Sequence, residues 1–394
     1  PGPCTDMPKL IVAAKRPDSG QRIVLSATHG SSLVNDDMPL IVRLLENGHH
    51  VLCLASNISE AETLSLTHAG ADVRQLELAA DRWALMRDRQ IIQRATSALT
   101  DWKADIVVAR GAGVMPTLAQ AARNAGATQI VAVVEQPPPE SENGDVPEGD
   151  TEESLLKAFG AVTDVLCYNY DHAAQLEVSG LLPEDLSPVV LPGLGVDLEQ
   201  FQVAPMPAID KGLNFLMVGE LSKSHGILDY CEAAKVIKER VPDARFQLAG
   251  SASRAADSVS LIDLEPFSDT VSFAGDAADI APLIKKCHVF VYPSHGEAVP
   301  SSALQAMAMG RPVVTTDVPG CRELVDECVN GVFCAPGDPP ALAEAMQRLL
   351  KRPELIASMA RASRQKAERR YDRRLVLAAL FDLLGLKRAA ITEA

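Results

Sequence analysis

The strongest constraint on the fold is an alternation of short apolar runs with helical patterns, which occurs in two series. The first series begins with an apolar run over 22–27 and a helical pattern over 38–47 that Gly48 closes. The second begins with an apolar run over 214–218 and a helical pattern over 226–240. Apolar runs without polar alternation are typical of parallel strands covered by helices on both faces. The pattern predicts an α/β fold with two doubly wound, Rossmann-like domains.

Two polar segments interrupt the alternation and indicate how the chain is divided. The segment 135–153 contains prolines, glycines and acidic residues but no basic residue, which predicts a mobile acidic loop. The Pro-rich segment 202–212 is the predicted domain boundary. Whether the C-terminal helix crosses back to the first domain stays open. The predicted parts are an N-terminal arm over 1–21 and an N-terminal domain over 22–201. They are followed by a C-terminal domain over 213–370 and a C-terminal helix over 371–394.

The charge of the chain excludes two classes of partner. The net charge is −15, and residues 1–200 carry 14 basic against 28 acidic residues. An acidic first half is incompatible with binding nucleic acid or anionic lipid through that half. No apolar run is long enough to span a membrane, and the short run at 10–14 is interrupted by Lys15 and Arg16. We expect a cytoplasmic protein with no signal peptide and no strong membrane association.

The cysteines predict no metal site. Eight cysteines are scattered without a Cys-x-x-Cys pair, as in a chain with reduced thiols. Cys321, Cys328 and Cys334 lie close in sequence, but their spacing matches no zinc pattern. An Asp-x-Asp pair occurs nowhere in the chain.

The densest group of functional residue types lies in 292–320. Its pattern is strand, Gly-containing turn, helix, Gly stop and strand, with the helix over 301–309. The free N–H groups at the start of such a helix form an anion site outside the end of the strand. Glu297 and Gln305 flank this helix start. An ordinary strand–helix–strand unit with Ser301 and Ser302 as helix caps is the alternative.

The residues of this region resemble a known family. The stretch VYPSHGEAVPSSALQAMAMGRPVVTTDVPGCRELVDECVNGVF resembles the donor-site signature of retaining GT-B glycosyltransferases of family 4. The resemblance is strongest to bacterial enzymes that add N-acetylhexosamines to lipid-diphosphate-linked glycans. It covers 213–350 and extends more weakly over 22–135, where the chain reads ATHGSSLVNDDMPLIVRLLENGHHV. It implies two Rossmann-like domains that face a cleft, with a nucleotide-sugar donor on the C-terminal domain and the acceptor on the N-terminal one.

The resemblance also assigns roles to individual residues. Glu297 would contact the hydroxyl groups of the donor sugar, Gln305 the ribose, and backbone N–H groups of 298–301 the phosphates. The implied donor-binding residues are Gly219, Glu220, Gly250, Ser251, Gly275, Gly296, Ala298, Val299, Pro300, Ser301 and Gln305. The implied acceptor-side residues are His29, Gly30, Ser31 and Asn35. The candidate catalytic residues are Glu297, Lys223 and His225, and the resemblance implies no metal and no other cofactor.

The stretch VGELSKSHG departs from the family. Its counterpart reads G-R-L-x-x-x-K-G, and the Arg and Lys of that motif neutralise the leaving diphosphate. Here Glu220 and His225 occupy those two positions, and Lys223 in the same turn is the candidate substitute cation. Gln305 stands where the family has Glu, and the segment 134–139 replaces a His-containing turn.

The sequence therefore predicts a retaining glycosyltransferase. Its donor would be a UDP-N-acetylhexosamine or UDP-hexose, and its acceptor a glycan or a small molecule. Two alternatives stay open: a pseudo-glycosyltransferase that acts as a binding or partner subunit, and a nucleotide-sugar epimerase on the same fold. A protein partner or a homodimer is compatible with each of these hypotheses.

Overall fold

The computed structural model describes residues 20–78, 85–111, 113–135, 152–209, 212–253, 257–277, 279–296 and 299–387. The predicted acidic loop and terminal arm fall almost entirely outside these residues, and so do Glu297 and Ala298. By compactness the chain divides into two units, of which the second comprises Val165–Lys387 and a short segment, Val134–Pro139.

The first sheet has the strand order β3-β2-β1-β4-β5-β6-β7 within the described residues. Strand β1 pairs in parallel with β2 and with β4, so the chain order reverses between β1 and β4. Its strands are β1 Arg22–His29, β2 His50–Asn57, β3 Asp72–Gln75, β4 Ile106–Arg110, β5 Gln129–Val134, β6 Asp164–Cys167 and β7 Pro188–Val190. Its helices are α1 Gly30–Asn35, α2 Met38–Glu46, α3 Glu60–Ala69, α4 Leu85–Trp102, α5 Met115–Ala125, α6 Glu152–Phe159 and α7 Tyr170–Val178.

The second sheet has the order β10-β9-β8-β11-β12-β13 within the described residues, and every neighbouring pair is parallel. Its strands are β8 Asn214–Val218, β9 Arg245–Ala249, β10 Val271–Phe273, β11 Val289–Tyr292, β12 Val313–Thr316 and β13 Gly331–Cys334. Its helices are α8 Ile227–Arg240, α9 Leu261–Leu264, α10 Ala281–Lys286, α11 Ser301–Ala308, α12 Pro339–Lys351, α13 Ile356–Lys366 and α14 Arg373–Leu383.

Strand β8 shows why an uninterrupted apolar run becomes a central strand. Successive side chains of a strand point to opposite faces of the sheet. Phe215 and Met217 are buried in the core on one face, and Leu216 and Val218 are buried in the core on the other. A strand buried on both faces needs no polar position, as the sequence pattern predicts.

The C-terminal helical region differs from the sequence expectation. Periodicity alone predicts a helical region over 354–385, but Asp372 interrupts it with an extended backbone (φ −59°, ψ 119°). The N–H of Val196 donates to the carbonyl oxygen of Tyr371 (2.7 Å), and the N–H of Arg373 donates to that of Val196 (3.0 Å). These long-range bonds hold Asp372 in an extended conformation, so the helix is interrupted there. The Asp372 side chain caps α14 by accepting from Arg374 N–H (2.9 Å).

Candidate functional site

The second sheet has its switch point between β8 and β11, which are neighbours in the sheet but not in the chain. In doubly wound sheets, ligands bind outside the carboxyl ends of the strands at such a point. Two turns leave the sheet there: the β8–α8 turn, residues 219–226, and the β11–α11 turn, residues 293–300. Five of the donor-binding residues predicted from the sequence lie in the described parts of these two turns: Gly219, Glu220, Gly296, Val299 and Pro300.

The two turns are packed against each other. Gly226 has a left-handed backbone (φ 75°), and a Cβ at this position would lie 2.0 Å from the carbonyl oxygen of Pro293. The N–H of His295 donates to the carbonyl oxygen of Ser224 (2.8 Å). The imidazole of His295 also contacts Asp229 in the first turn of α8, with 2.6 Å between Nε2 and Oδ2. The backbone of one turn therefore determines where the other lies.

The turns after β9 and β10 complete the edge. A Cβ on Gly250 would lie 1.9 Å from the carbonyl oxygen of Gly219, so only glycine allows this approach. The N–H of Gly250 donates to the carbonyl oxygen of Gly275 (3.0 Å), and the N–H of Leu221 donates to that of Ser251 (2.9 Å). Three glycines predicted from the sequence thus lie at adjacent strand ends and form a backbone surface there, in which Gly219 and Gly275 are half-buried and Gly250 is buried.

Helix α11 begins beside this backbone surface. Pro300 occupies its N-cap position and makes no side-chain cap, whereas Ser301 is exposed. The alternative interpretation expects Ser302 to cap the helix, but it does not. Its hydroxyl donates instead to the carbonyl oxygen of Val218 (3.0 Å) at the end of β8. This bond holds the positive end of the α11 dipole next to β8. Val299 and Gln305 are half-buried.

The charged residues of the β8–α8 turn lie in solvent. Glu220 and Lys223 are both exposed. The carbonyl oxygen of Glu220 accepts from Ser222 N–H (2.8 Å), and Lys223 N–H donates to the carbonyl oxygen of Asp257 (3.0 Å). Because water screens an exposed carboxylate, Glu220 repels an anion at the strand ends less strongly than a buried acid would.

His225 can carry a positive charge, and its side chain lies over the edge of the sheet. Its Cδ2 is 3.6 Å from the position of a Cβ on Gly219, so the ring covers the end of β8. The ring meets Tyr292 edge to face at 6.0 Å between centroids. Its Nδ1 is 2.5 Å from the hydroxyl of Ser222.

Asp257 lies close to this ring from the segment after β9. Its Oδ2 accepts from Ser224 N–H at 2.8 Å. That bond, with smaller contributions from the Ser224 hydroxyl and from the charge of His225, lowers the pKa of Asp257 below its usual range. The Asp257 carboxylate is therefore held by the turn that carries the imidazole, and its charge interacts with that of His225.

The first sheet carries the candidate acceptor-side residues at its own switch point. Strand β1 ends at His29, and the short helix α1, which the sequence pattern did not predict, contains Gly30, Ser31 and Asn35. A Cβ on Gly30 would lie 2.6 Å from Ile58 Cγ1, so close packing requires glycine there. His29, Ser31 and Asn35 are exposed.

A buried ion pair lies at the same switch point and was missed by sequence reasoning. Arg110, the last residue of β4, donates to Asp37 (2.6 Å) with both side chains 10% exposed. It also contacts Asp36 (3.0 Å), which is 55% exposed. The backbone N–H of Arg110 donates to the hydroxyl of Ser26 on β1 (3.1 Å). A charged residue directly after an apolar strand was the available signal, but the sequence did not identify its partner 73 residues away.

We expect Asp37→Asn to destabilise the protein by about 2 kcal/mol, because Arg110 would keep a buried charge with its better partner neutralised. Asp36→Asn is the matched control, since it removes the exposed contact of the same guanidinium and should cost less than ~0.5 kcal/mol. Thermal unfolding of the two variants measures the difference. Equal losses would show that burial of the pair contributes nothing.

Among the residues that the structure describes, no three His, Cys, Asp or Glu side chains are grouped so as to hold a metal ion. The described cysteines are free thiols, and all except Cys328 are buried. Burial raises the pKa of Cys53, Cys167, Cys231, Cys287 and Cys334 to about 12. Thiols held in the neutral form are poor nucleophiles and poor metal ligands.

Across the described part of the chain, no helix has both the length and the apolar character that crossing a membrane requires.

Solved structures with the same architecture identify the class of fold. Anabaena HepE in complex with UDP and glucose matches with a TM-score of 0.73 at 17% identity, covering 93% of this chain and 99% of that chain. Sucrose-phosphate synthase from Thermosynechococcus elongatus matches with a TM-score of 0.71 at 17% identity, covering 93% and 98%. The fold is GT-B, and the fold class predicted from the sequence is confirmed.

A family model matches part of the second unit. Residues 212–352 match the model of the family described as "Glycosyl transferases group 1". The resemblance recognised from the donor-site signature is thereby confirmed for the part of the chain that carries it.

Curated relatives match over a similar extent. An N-acetylgalactosaminyltransferase of Campylobacter jejuni that acts on N,N'-diacetylbacillosaminyl-diphospho-undecaprenol is 30% identical over 43% of this chain and 43% of its own length. The α-D-kanosaminyltransferase of Streptomyces kanamyceticus is 33% identical over 37% of this chain and 38% of its own. The chain thus matches less than half the length of these two relatives.

Proposed function

We propose that this protein is a retaining glycosyltransferase that takes a sugar from a UDP-hexose or UDP-N-acetylhexosamine. The acceptor would be a hydroxyl group of a glycan or small molecule. One observation carries the proposal: the glycine backbone surface at the switch point of the second sheet lies beside the N-terminus of α11. Neutral N–H groups at a helix start bind phosphate groups without side chains. The family match over the same residues supports this reading.

The donor's parts would be distributed along this edge. The diphosphate would lie on the backbone of Gly219 and Gly250 with the N-terminus of α11 beside it. The ribose would reach Gln305, whose amide can donate to and accept from hydroxyl groups. The base would lie near Gly275. Glu297, which the resemblance assigns to the sugar hydroxyls, is outside the described residues.

The reaction breaks the bond between the anomeric carbon and the diphosphate oxygen, and it forms a bond from that carbon to the acceptor oxygen on the same face. The proton of the acceptor hydroxyl would pass to an oxygen of the departing diphosphate. The electron pair of the broken bond goes to the leaving diphosphate, so negative charge grows there. Groups already aimed at that position stabilise it most. The α11 N–H groups and the imidazolium form of His225 would supply this stabilisation, and a metal ion would not be needed. The acceptor would bind at the edge of the first sheet that carries His29, Ser31 and Asn35.

A second candidate is a binding subunit without catalysis. Glu220 favours it, because an acid and a histidine stand at the two positions where the family has permanent cations. Such a protein would bind nucleotide sugars weakly or not at all and would transfer nothing.

Calorimetric titration with UDP, UDP-glucose and UDP-N-acetylglucosamine distinguishes the candidates. We expect saturable binding of UDP and of at least one UDP-sugar, together with slow release of UDP when the sugar is transferred to water or to an acceptor. EDTA should change neither the binding of these ligands nor the release of UDP. Absence of binding at millimolar ligand would overturn the transferase proposal, and binding without any turnover would favour the binding subunit.

The triple variant Glu220→Arg, His225→Lys, Gln305→Glu provides the comparison. If the native turn limits donor binding, this variant should bind UDP-sugars more tightly than the unmodified protein. Gained affinity without gained turnover would locate the remaining defect outside the β8–α8 turn.

A further inference from the structure

We propose that binding of the donor's diphosphate is controlled by the protonation of His225, so that the protein binds nucleotide sugars well at acidic pH and poorly at alkaline pH. This inference rests on the proposed function and concerns the same site. It starts from the position of the ring, which covers Gly219 at the end of β8 and lies against Tyr292 of β11. An anion on the backbone of the switch point therefore lies next to the imidazole.

Ser222 allows the imidazole to change its charge without rearranging the turn. The Ser222 hydroxyl is buried and lies 2.5 Å from His225 Nδ1 and 3.1 Å from the hydroxyl of Ser224. When His225 is neutral at Nδ1, Ser222 donates its hydrogen to that nitrogen. When Nδ1 is protonated, it donates to the Ser222 oxygen, and the hydroxyl hydrogen turns toward Ser224. The hydrogen bond between Ser222 and His225 is kept in both states.

Three carboxylates stand on the elements around the ring. The charge of Asp257 interacts with that of His225, and Asp257 also accepts from Ser224 N–H. Glu220 is exposed on the same turn. On α8, the carboxylate of Asp229 is already engaged by His295 of the β11–α11 turn.

Two positive groups stand near the ring. Lys223 is a permanent cation on the same turn, and it is exposed. Its charge also acts on Asp263 of α9, where it adds to the larger effect of Ser260 in lowering the pKa of that carboxyl. The other is the positive end of the α8 dipole. A bound diphosphate would bring negative charge directly to the ring.

The consequence is a titratable binding site. Histidine is the side chain whose ordinary titration falls between about pH 5 and 8. A charged hydrogen bond to phosphate is lost when the ring is neutral, so affinity should fall about tenfold or more as the pH rises through this range.

The test is calorimetric titration with UDP-glucose from about pH 5.5 to about pH 8.5, the range in which histidine titrates. UDP-glucose is the suitable probe because both of its phosphates are esterified and their charge is constant across this range. We expect the unmodified protein to lose about tenfold or more in affinity toward alkaline pH. His225→Lys should bind tightly at every pH, and His225→Gln weakly at every pH.

His295→Gln is the control for the other histidine at this edge, and it should retain the pH dependence. The inference is overturned if affinity of the unmodified protein does not change with pH, or if the change persists in both His225 variants. Lack of binding at any pH, in the unmodified protein and in His225→Lys alike, would instead overturn the proposed donor function and this inference with it. Circular dichroism of each variant confirms that it is folded.

Discussion

Replacing Arg311 with methionine should lower the stability of the second unit by about 4 kcal/mol. Arg311 is 1% exposed, and its partners within the described residues are backbone carbonyl groups rather than carboxylates. Its guanidinium donates instead to backbone carbonyl oxygens, those of Ile284, Ala204, Met309, Gly310, Pro205 and Lys285, at 2.9 to 3.3 Å. Methionine would fill most of the volume but would remove a donor from all six oxygens. Ile284 and Met309 would still accept from the N–H groups of Cys287 and Ala204. A buried oxygen left without any donor costs more than the contact itself.

The measurement is calorimetric unfolding, where a loss of this size should lower the transition midpoint by about 10 °C. The midpoint of Arg311→Lys should lie between those of the unmodified protein and Arg311→Met. An ammonium group can still donate to a carbonyl, but it lacks the planar fork of donors that reaches several carbonyls at once. Arg348→Met is the control: this arginine is 49% exposed and pairs with Glu327 at the surface. It should change stability by less than ~0.5 kcal/mol. Equal shifts for Arg311→Met and Arg348→Met would contradict the assigned role of the carbonyl contacts.

Gly226→Ala should reduce affinity for a nucleotide sugar about a hundredfold, because a displacement of about 1 Å in a binding site has effects of this size. The added Cβ would lie 2.0 Å from the Pro293 carbonyl oxygen, which is backbone, so one of the two turns must move. The left-handed conformation of the residue adds ~1–2 kcal/mol of strain.

Gly180→Ala separates these two effects. Gly180 has nearly the same conformation (φ 73°) with no atom within 4 Å of an added Cβ. Gly180→Ala should lower the midpoint of thermal unfolding, because it introduces the backbone strain alone. It should leave the affinity for nucleotide sugars unchanged. If the two alanine variants lose the same stability and neither loses affinity, the packing of the β8–α8 turn on the β11–α11 turn is not needed for binding.

Most strands and helices could be predicted because the signal for them is local. Strand β8 and helix α8 were predicted within one residue of their observed bounds, since an apolar run and a helical period are visible in a few consecutive residues. The predicted start of the C-terminal helix at 371 lies next to the break at Asp372, but the cause of the break could not be predicted in this way. The break depends on hydrogen bonds to Val196, which lies far away in the chain.

The candidate donor site was predicted in its residue types but not in its contacts. The resemblance indicated Gly219, Gly250 and Gly275, and the structure places them at adjacent strand ends. It did not indicate that Ser222 pairs with His225. Nor did it indicate that Glu220 is exposed, which depends on how the turn leaves the sheet.

The sequence by itself determined the α/β class, the two series of strands and the family signature of the second unit, because periodicity and motif spacing are properties of consecutive residues. The tertiary structure alone decided which charges meet. The partners of Arg110 and Arg311 are set by strand order and by packing between distant segments. The imidazole of His225 lies over the end of β8 for the same reason, since only the folded sheet brings Gly219, Tyr292 and Asp257 around one ring.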